Sequence, residues 1–277
     1  MGDQLIGAYE AVDDQAAGGG VEAVQRPGRV TALRYAIGLV IVQIAWVLWL
    51  LVPEDTRLWV FVPLALADLA VPVYAERPRR TPWHPPHLAE RYGLFTIICL
   101  GESISAATIA ITEAVDENEP FSELLPLAAG GLLVVFGAFW VYFAVPIHQY
   151  LQSRRMAFVW GYGHYLILGS AAAIGAGIEV GVEQAVGQAH ISAVAAAATV
   201  TVPAALFLVM VWLLHARYHK RGVAQHAVLP VTAAVVRLCT FAGHGAVRLA
   251  GLAVSAAVAV GSGLGADRSG GRSPGTA

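Results

Sequence analysis

The stretch from residue 87 to residue 105 reads HLAERYGLFTIICLGESIS, and it changes character along its length. Its head is polar and contains His87, Glu90 and Arg91, whereas the residues that follow are almost entirely apolar. One carboxylate, Glu102, interrupts the apolar part. This pattern predicts a membrane helix that carries an ionisable side chain inside the bilayer.

The composition of the whole chain agrees with a membrane protein. Of its 277 residues, 57% are hydrophobic and 13% are charged, and the mean hydropathy is +0.63. A soluble domain usually carries about 25% charged residues. The two cysteines, Cys99 and Cys239, fall in apolar segments, so no disulfide framework is indicated. No basic surface with interleaved aromatic residues is visible, which argues against a nucleic-acid partner.

Apolar segments of suitable length recur along the chain and predict an all-α fold, a polytopic transmembrane helical bundle with about eight spans. The segments cover residues 33–52, 58–74, 93–112, 124–146, 157–178, 192–214, 227–242 and 247–261. Arg237 and Arg248 interrupt the last two segments, so six spans followed by an interfacial hairpin is the alternative.

One transmembrane domain is expected over residues 31–262, between two disordered tails. The N-terminal tail, residues 1–30, begins with an acidic, glycine-containing stretch and lacks the basic start and apolar run of a signal peptide. The C-terminal tail, residues 263–277, is rich in glycine, serine and proline.

The distribution of positive charge predicts how the spans are oriented. If the basic residues before the first span are cytoplasmic and the spans alternate, all arginines and lysines except Arg57, Arg237 and Arg248 fall in the cytoplasm. Short cytoplasmic loops carry such an excess of positive charge. We therefore expect a multi-pass protein of the bacterial inner (plasma) membrane with both termini in the cytoplasm.

Glu102 is the principal candidate for a functional residue. It lies nine residues into the third span, roughly 14 Å from its start and so near the membrane midplane. An acid at that depth costs about 2.5–3.5 kcal/mol on insertion scales and marks a functional site by default. Ser105 can hydrogen-bond locally, while Asp68 and His164 are candidates for a shared proton or ion site with Glu102. The alternative is that these residues form structural hydrogen bonds between helices.

The polar head of the stretch supplies a second group of candidates. His87, Glu90 and Arg91 are expected at the cytoplasmic mouth of the third span, although Glu90 also suits the positive end of the helix dipole. The histidine pairs 84/87 and 215/219 lack a third ligand, so no metal is predicted and the second pair is interpreted as interfacial. Without a phosphate-binding loop, a nucleophile elbow or a metalloprotease motif, no cofactor is predicted and enzymatic catalysis is not favoured.

The segment of residues 87–103 resembles the signature of the bacterial low temperature requirement protein A family. The aromatic runs at residues 140–143 (WVYF) and 162–169 (YGHYLILG) match in the expected order, and the resemblance covers residues 30–262. It implies a polytopic membrane protein connected with growth in the cold. The chain departs from the family in two ways. Family members usually begin with further spans that nothing in this sequence matches, so we expect either a shortened member or a mis-set start. In addition, Ala144 stands where an acid commonly follows the first aromatic run.

Three functions follow from these observations. The first is an ion- or proton-coupled transporter in which Glu102 is the central titrating group. The second is a membrane-embedded enzyme that acts on lipids at the level of His87, Glu90 and Arg91. The third is a non-catalytic scaffold that assembles with a partner membrane subunit or a second copy of the chain. The expected partners are the lipid bilayer and, for the first function, protons or small ions.

Overall fold

A computed structural model describes residues 21–77, 84–116, 121–144, 147–151, 153–216 and 223–270, and within these ranges all regular structure is helical. Seven stretches of this described part are long and apolar enough to cross a membrane. Many large apolar side chains are exposed, including Leu51 (80%) and Trp59 (79%), as expected of surfaces that face lipid. The chain is therefore an all-α, multi-pass membrane protein, as the sequence predicted.

The chain divides into two compact units, and the first is a hairpin of two helices. Helix α1 spans Val21–Trp49, and α2 spans Glu54–Ala75. Helix α1 begins earlier than residue 33, where the first apolar span was predicted, while residues 1–20 of the expected N-terminal tail lie outside the described ranges. The two helices approach closely where Gly38 lies, since a methyl group there would be 2.9 Å from Val71 Cγ1.

The second unit, residues 84–277, contains six helices and three short helical turns within its described part. In chain order these are α3 (Pro85–Asp116), α4 (Phe121–Phe143), a 3-10 turn (Ile147–Tyr150), α5 (Arg154–Ala185), α6 (Ala193–Val211), a π turn (Trp212–Ala216), α7 (Val223–Cys239), a second 3-10 turn (Thr240–Gly245) and α8 (Ala246–Gly270). Residues 271–277 of the expected C-terminal tail lie outside the description.

The last of the seven apolar stretches, Val223–Gly263, is 41 residues long and contains two helices. Gly243 has φ 57° and ψ −129°, a conformation outside the helical region that glycine adopts at little cost. Helix α8 then runs alongside α4 in the same direction, since Gly130 meets Val247 and Arg248 while Gly137 meets Val254 further along. The sequence predicted eight spans, the last two in this stretch, and the helix break at Gly243 lies between them.

Helix α5 is the central helix of the second unit and packs on α3, α4 and α6. Its inward residues Ile167, Ala171, Ile174 and Ile178 are at most 1% exposed. The sequence supplies small residues at positions 169, 173, 177 and 181, a spacing that lets helix backbones approach closely. The contact with α6 is the closest of these, because a methyl group on Gly177 would lie 2.3 Å from the Thr199 carbonyl oxygen.

Two glycines of α5 therefore respond differently to the same substitution. Gly177→Ala forces the α6 backbone away, and we expect it to lower the free energy of unfolding by about 1–3 kcal/mol. Gly169→Ala is the matched control, because a methyl group at Gly169 meets nothing within 4 Å. A mid-helix alanine should stabilise by about 0.5–1 kcal/mol relative to glycine. Thermal unfolding of both variants in detergent measures the difference, and equal melting temperatures would contradict this packing.

Candidate functional site

A cluster of aromatic and imidazole rings occupies the interior of the second unit. Tyr92 comes from α3, Tyr142 from α4, Trp160 and His164 from α5, and His215 from the π turn after α6. His164 is 0% exposed and His215 is 1% exposed, so both imidazoles are fully enclosed. We call these five residues the histidine site.

Both ring nitrogens of His164 have partners. Nδ1 lies 2.7 Å from the Trp160 carbonyl oxygen, one helical turn earlier. Because a carbonyl only accepts hydrogen bonds, Nδ1 is the donor, and the tautomer of a neutral ring follows. Nε2 then accepts a hydrogen bond from the Tyr142 hydroxyl at 2.9 Å. His164 is thus oriented by its own helix and joined to α4.

His215 is enclosed but unpaired. Neither of its ring nitrogens has a hydrogen-bond partner among the described residues, and the same holds for the indole nitrogen of Trp160. The His215 ring centroid lies 4.7 Å from that of Tyr142 and 5.5 Å from that of His164, and the ring stacks on Trp160 at 5.8 Å. Buried polar atoms without partners are costly, and such atoms in a native protein call for a water, a ligand or a functional explanation.

Sequence reasoning missed His215. Its spacing to His219 suggested an interfacial pair at a helix end, but the structure buries His215, and His219 lies outside the described residues. The π turn over Trp212–Ala216 extends α6 and brings His215 beside Tyr142 and Trp160. Single π turns inside helices are often found at functional sites. In the sequence, the apolar run that leads directly into His215 was the one feature that could have indicated a buried histidine.

Tyr92 forms the side of the histidine site next to a surface groove. Its ring centroid is 4.7 Å from that of His164 and 5.0 Å from that of Trp160. Tyr92 also lines a groove of about 250 Å³ together with Arg91, Phe95, Tyr165 and Leu168. Arg91, which was predicted to lie at the mouth of the third span, therefore borders this groove. The Tyr92 ring lies between the groove and His164.

Glu102 lies elsewhere on α3, and its side chain is exposed. The neighbouring Ser103 points inward instead and donates to the Ala171 carbonyl oxygen at 2.9 Å. Ser105 is exposed and donates to the Gly101 carbonyl oxygen at 3.3 Å, so it does not bond to Glu102. Since Tyr92 contacts His164 and Glu102 is ten residues further along α3, about 15 Å at 1.5 Å per residue, the structure does not bring Glu102 and His164 together.

Asp68 has a partner inside the first unit. The Trp46 indole nitrogen donates to Asp68 Oδ2 at 3.3 Å, and Asp68 is half-buried. Trp46 is held by edge contacts with Trp49 at 5.8 Å and with Phe61 at 5.4 Å. A hydrogen bond from α1 thus accounts for an acid in the middle of α2.

The remaining predicted residues lie at the start of α3. His87 Nδ1 is 3.6 Å from Glu90 Oε2, and both side chains are mostly exposed, so their interaction contributes little to stability. The His84 and His87 rings lie 5.2 Å apart. Among the described residues, no three His, Cys, Asp or Glu side chains lie close enough together to hold a metal ion.

The chain matches one family model, that of the bacterial low temperature requirement A protein (LtrA), over residues 16–262. No curated protein and no solved structure matches the chain.

The hydrogen bond between Tyr142 and His164 can be tested with a single hydroxyl group. Tyr142→Phe leaves His164 Nε2 buried without a donor, and we expect a loss of about 1–3 kcal/mol in the free energy of unfolding. Tyr165→Phe makes the same chemical change on the exposed face of α5 and should alter it by less than about 0.5 kcal/mol. Chemical or thermal unfolding in detergent measures both. Equal stabilities of the two variants would show that the buried bond is not formed.

Proposed function

The chain belongs to the bacterial low temperature requirement A protein family, and from this premise we propose that it is an ion- or proton-coupled transport-type membrane protein. The observation that carries the proposal is the histidine site, in which two fully buried imidazoles and a tyrosine hydroxyl adjoin inside a membrane-embedded helix bundle. Ionisable side chains inside membrane helices are costly and mark ion or proton pathways. Histidine suits proton transfer because one nitrogen can accept a proton while the other donates.

The hydrogen bonds of His164 define how a proton is passed on. His164 can gain a proton at Nε2 once the Tyr142 O–H turns away from that nitrogen, and the Tyr142 oxygen then accepts a hydrogen bond from the new N–H. The tyrosine O–H is then released to donate elsewhere. His215 adjoins Tyr142 and has two ring nitrogens without described partners, and one of them accepts in a neutral ring. If a shift of the His215 ring brings one of these nitrogens to the Tyr142 hydroxyl, the released O–H can donate to it, and a proton can pass from His164 through Tyr142 to His215.

Protons reach the histidine site from the groove beside Tyr92. Arg91 borders this groove, the exposed Glu90 directly precedes it, and the exposed His87 lies about one turn earlier on α3. The distribution of arginines and lysines favours an orientation in the plasma (inner) membrane in which the start of α3 and both termini are cytoplasmic. In this orientation the groove opens toward the cytoplasmic side.

Glu102 supplies a second titrating group, separate from the histidine site. Its side chain lies on an exposed face of α3 at membrane depth, where a charge facing lipid is unfavourable. Binding a proton or a cation neutralises a carboxylate at that position and so lowers the free-energy cost of its exposure to lipid. Ser105 lies on the same exposed side, and Asp68 adds a second acid at membrane depth within the first unit.

Transport can be measured on the full chain in liposomes that enclose a pH-sensitive dye. An imposed pH gradient should collapse faster with the wild-type chain than in empty liposomes. Glu102→Gln removes the titrating carboxylate, and His164→Gln removes the buried proton acceptor. Both variants should reduce the proton flux at least about tenfold, the effect of removing a positioned proton-transfer group.

Glu113→Gln is the control for Glu102. Glu113 is also exposed on α3, eleven residues or about three turns further along, on nearly the same side of the helix. The proton flux through the Glu113→Gln variant should equal that of the wild type. Unchanged flux in Glu102→Gln would remove Glu102 from the proposal, and a wild-type flux no greater than that of empty liposomes would refute proton transport.

A further inference from the structure

Three arginines depart from the charge pattern that places the other basic residues on one side of the membrane. Two of them are satisfied within the chain. Arg57 donates to the carbonyl oxygens of Val52 and Leu50, and its guanidinium lies 5.8 Å from the Trp49 ring centroid. Arg237 donates to Thr240 Oγ1 at 3.0 Å. Arg248 differs, because it makes no hydrogen bond or ion pair with any described residue.

Arg248 instead lines a cavity of about 420 Å³ in the second unit. The cavity lies where α5 ends, where α6 and α8 begin, and where the chain breaks at Gly243. Among the other described residues of its wall, His244 and Gln184 have side chains that can donate hydrogen bonds, and the rest are apolar residues and glycines. This end of the bundle is opposite the groove beside Tyr92, because α5 runs from that groove to the cavity.

We propose that this cavity is a binding site for a phosphate-type oxyanion, either free or carried on a lipid headgroup. The site is distinct from the histidine site and does not depend on proton transport.

The lining favours a negative ligand in three ways. The guanidinium of Arg248 offers a planar set of donors that matches the oxygens of a phosphate. No carboxylate is among the described lining residues to compete for it, and Glu183, next to Gln184, is not part of the wall. The first turns of α6 and α8, represented by Ala193 and Val247, also face the cavity, and the amide ends of helices attract anions.

Binding can be measured on the purified full chain with two probes. Inorganic phosphate is titrated into the detergent-solubilised protein by calorimetry, with chloride at the same ionic strength as the reference. In the second arm, native mass spectrometry counts adducts of phosphatidylglycerol against those of phosphatidylcholine. Saturable binding in the first arm identifies a free oxyanion, whereas preference for the anionic lipid in the second arm alone identifies a headgroup. Absence of both overturns the proposal.

Substitutions then locate the site. Arg248→Gln should weaken the binding found by about tenfold or more, the usual effect of removing one charge-assisted hydrogen bond. Arg248 is exposed, so the variant should remain folded. Arg248→Lys keeps the charge and should bind more tightly than Arg248→Gln. Arg237→Gln removes an arginine that lies outside the described cavity wall and already has a partner, and it should bind as the wild type does. Equal effects of Arg237→Gln and Arg248→Gln would overturn the proposal.

Discussion

The close contact between α3 and α5 determines how the second unit is built. The Ser103 hydroxyl donates to the Ala171 carbonyl oxygen, and a methyl group on Gly175 would lie 2.8 Å from Ser103 Cα. Tyr92 and His164 lie earlier on these same two helices by equal intervals, from 92 to 103 and from 164 to 175, and their rings lie 4.7 Å apart. Since this interval is about three helical turns, both contacts belong to one seam between two helices that run in the same direction.

This seam separates two kinds of ionisable group. Successive residues of a helix point about 100° apart, so an inward Ser103 places Glu102 on the exposed side of α3. The same seam carries Tyr92 to the inside, where it adjoins His164 and leaves one edge at the groove beside Arg91. The two imidazoles are therefore enclosed within the bundle, whereas Glu102 lies at its surface. Both arrangements follow from the close packing of α3 against Gly175, which turns the Ser103 side of α3 toward α5 and the Glu102 side away from it.

The sequence was sufficient for the fold class, because long apolar runs in a chain with few charges have no other stable arrangement in a bilayer. It also predicted Glu102, Asp68 and His164 as candidate residues, since an ionisable residue in such a run is visible without a structure. Which of these side chains contact one another was not predictable, because the direction of a side chain depends on how its helix packs against the neighbouring helix. The Trp46 indole that bonds to Asp68 could equally have been an interfacial anchor. His215 was missed because the spacing of apolar residues in a sequence does not reveal a π turn.

The central claim is that His164 is a buried, oriented imidazole whose Nε2 carries no proton of its own and accepts a hydrogen bond from Tyr142. Nitrogen-15 NMR of the histidine-labelled full chain at neutral pH tests it directly, with His164→Gln assigning the signal. The account predicts a neutral ring protonated at Nδ1, which donates to the Trp160 carbonyl oxygen, and an unprotonated Nε2 that accepts from Tyr142. A ring protonated at Nε2 alone would contradict it, because Nδ1 could then not donate to that carbonyl.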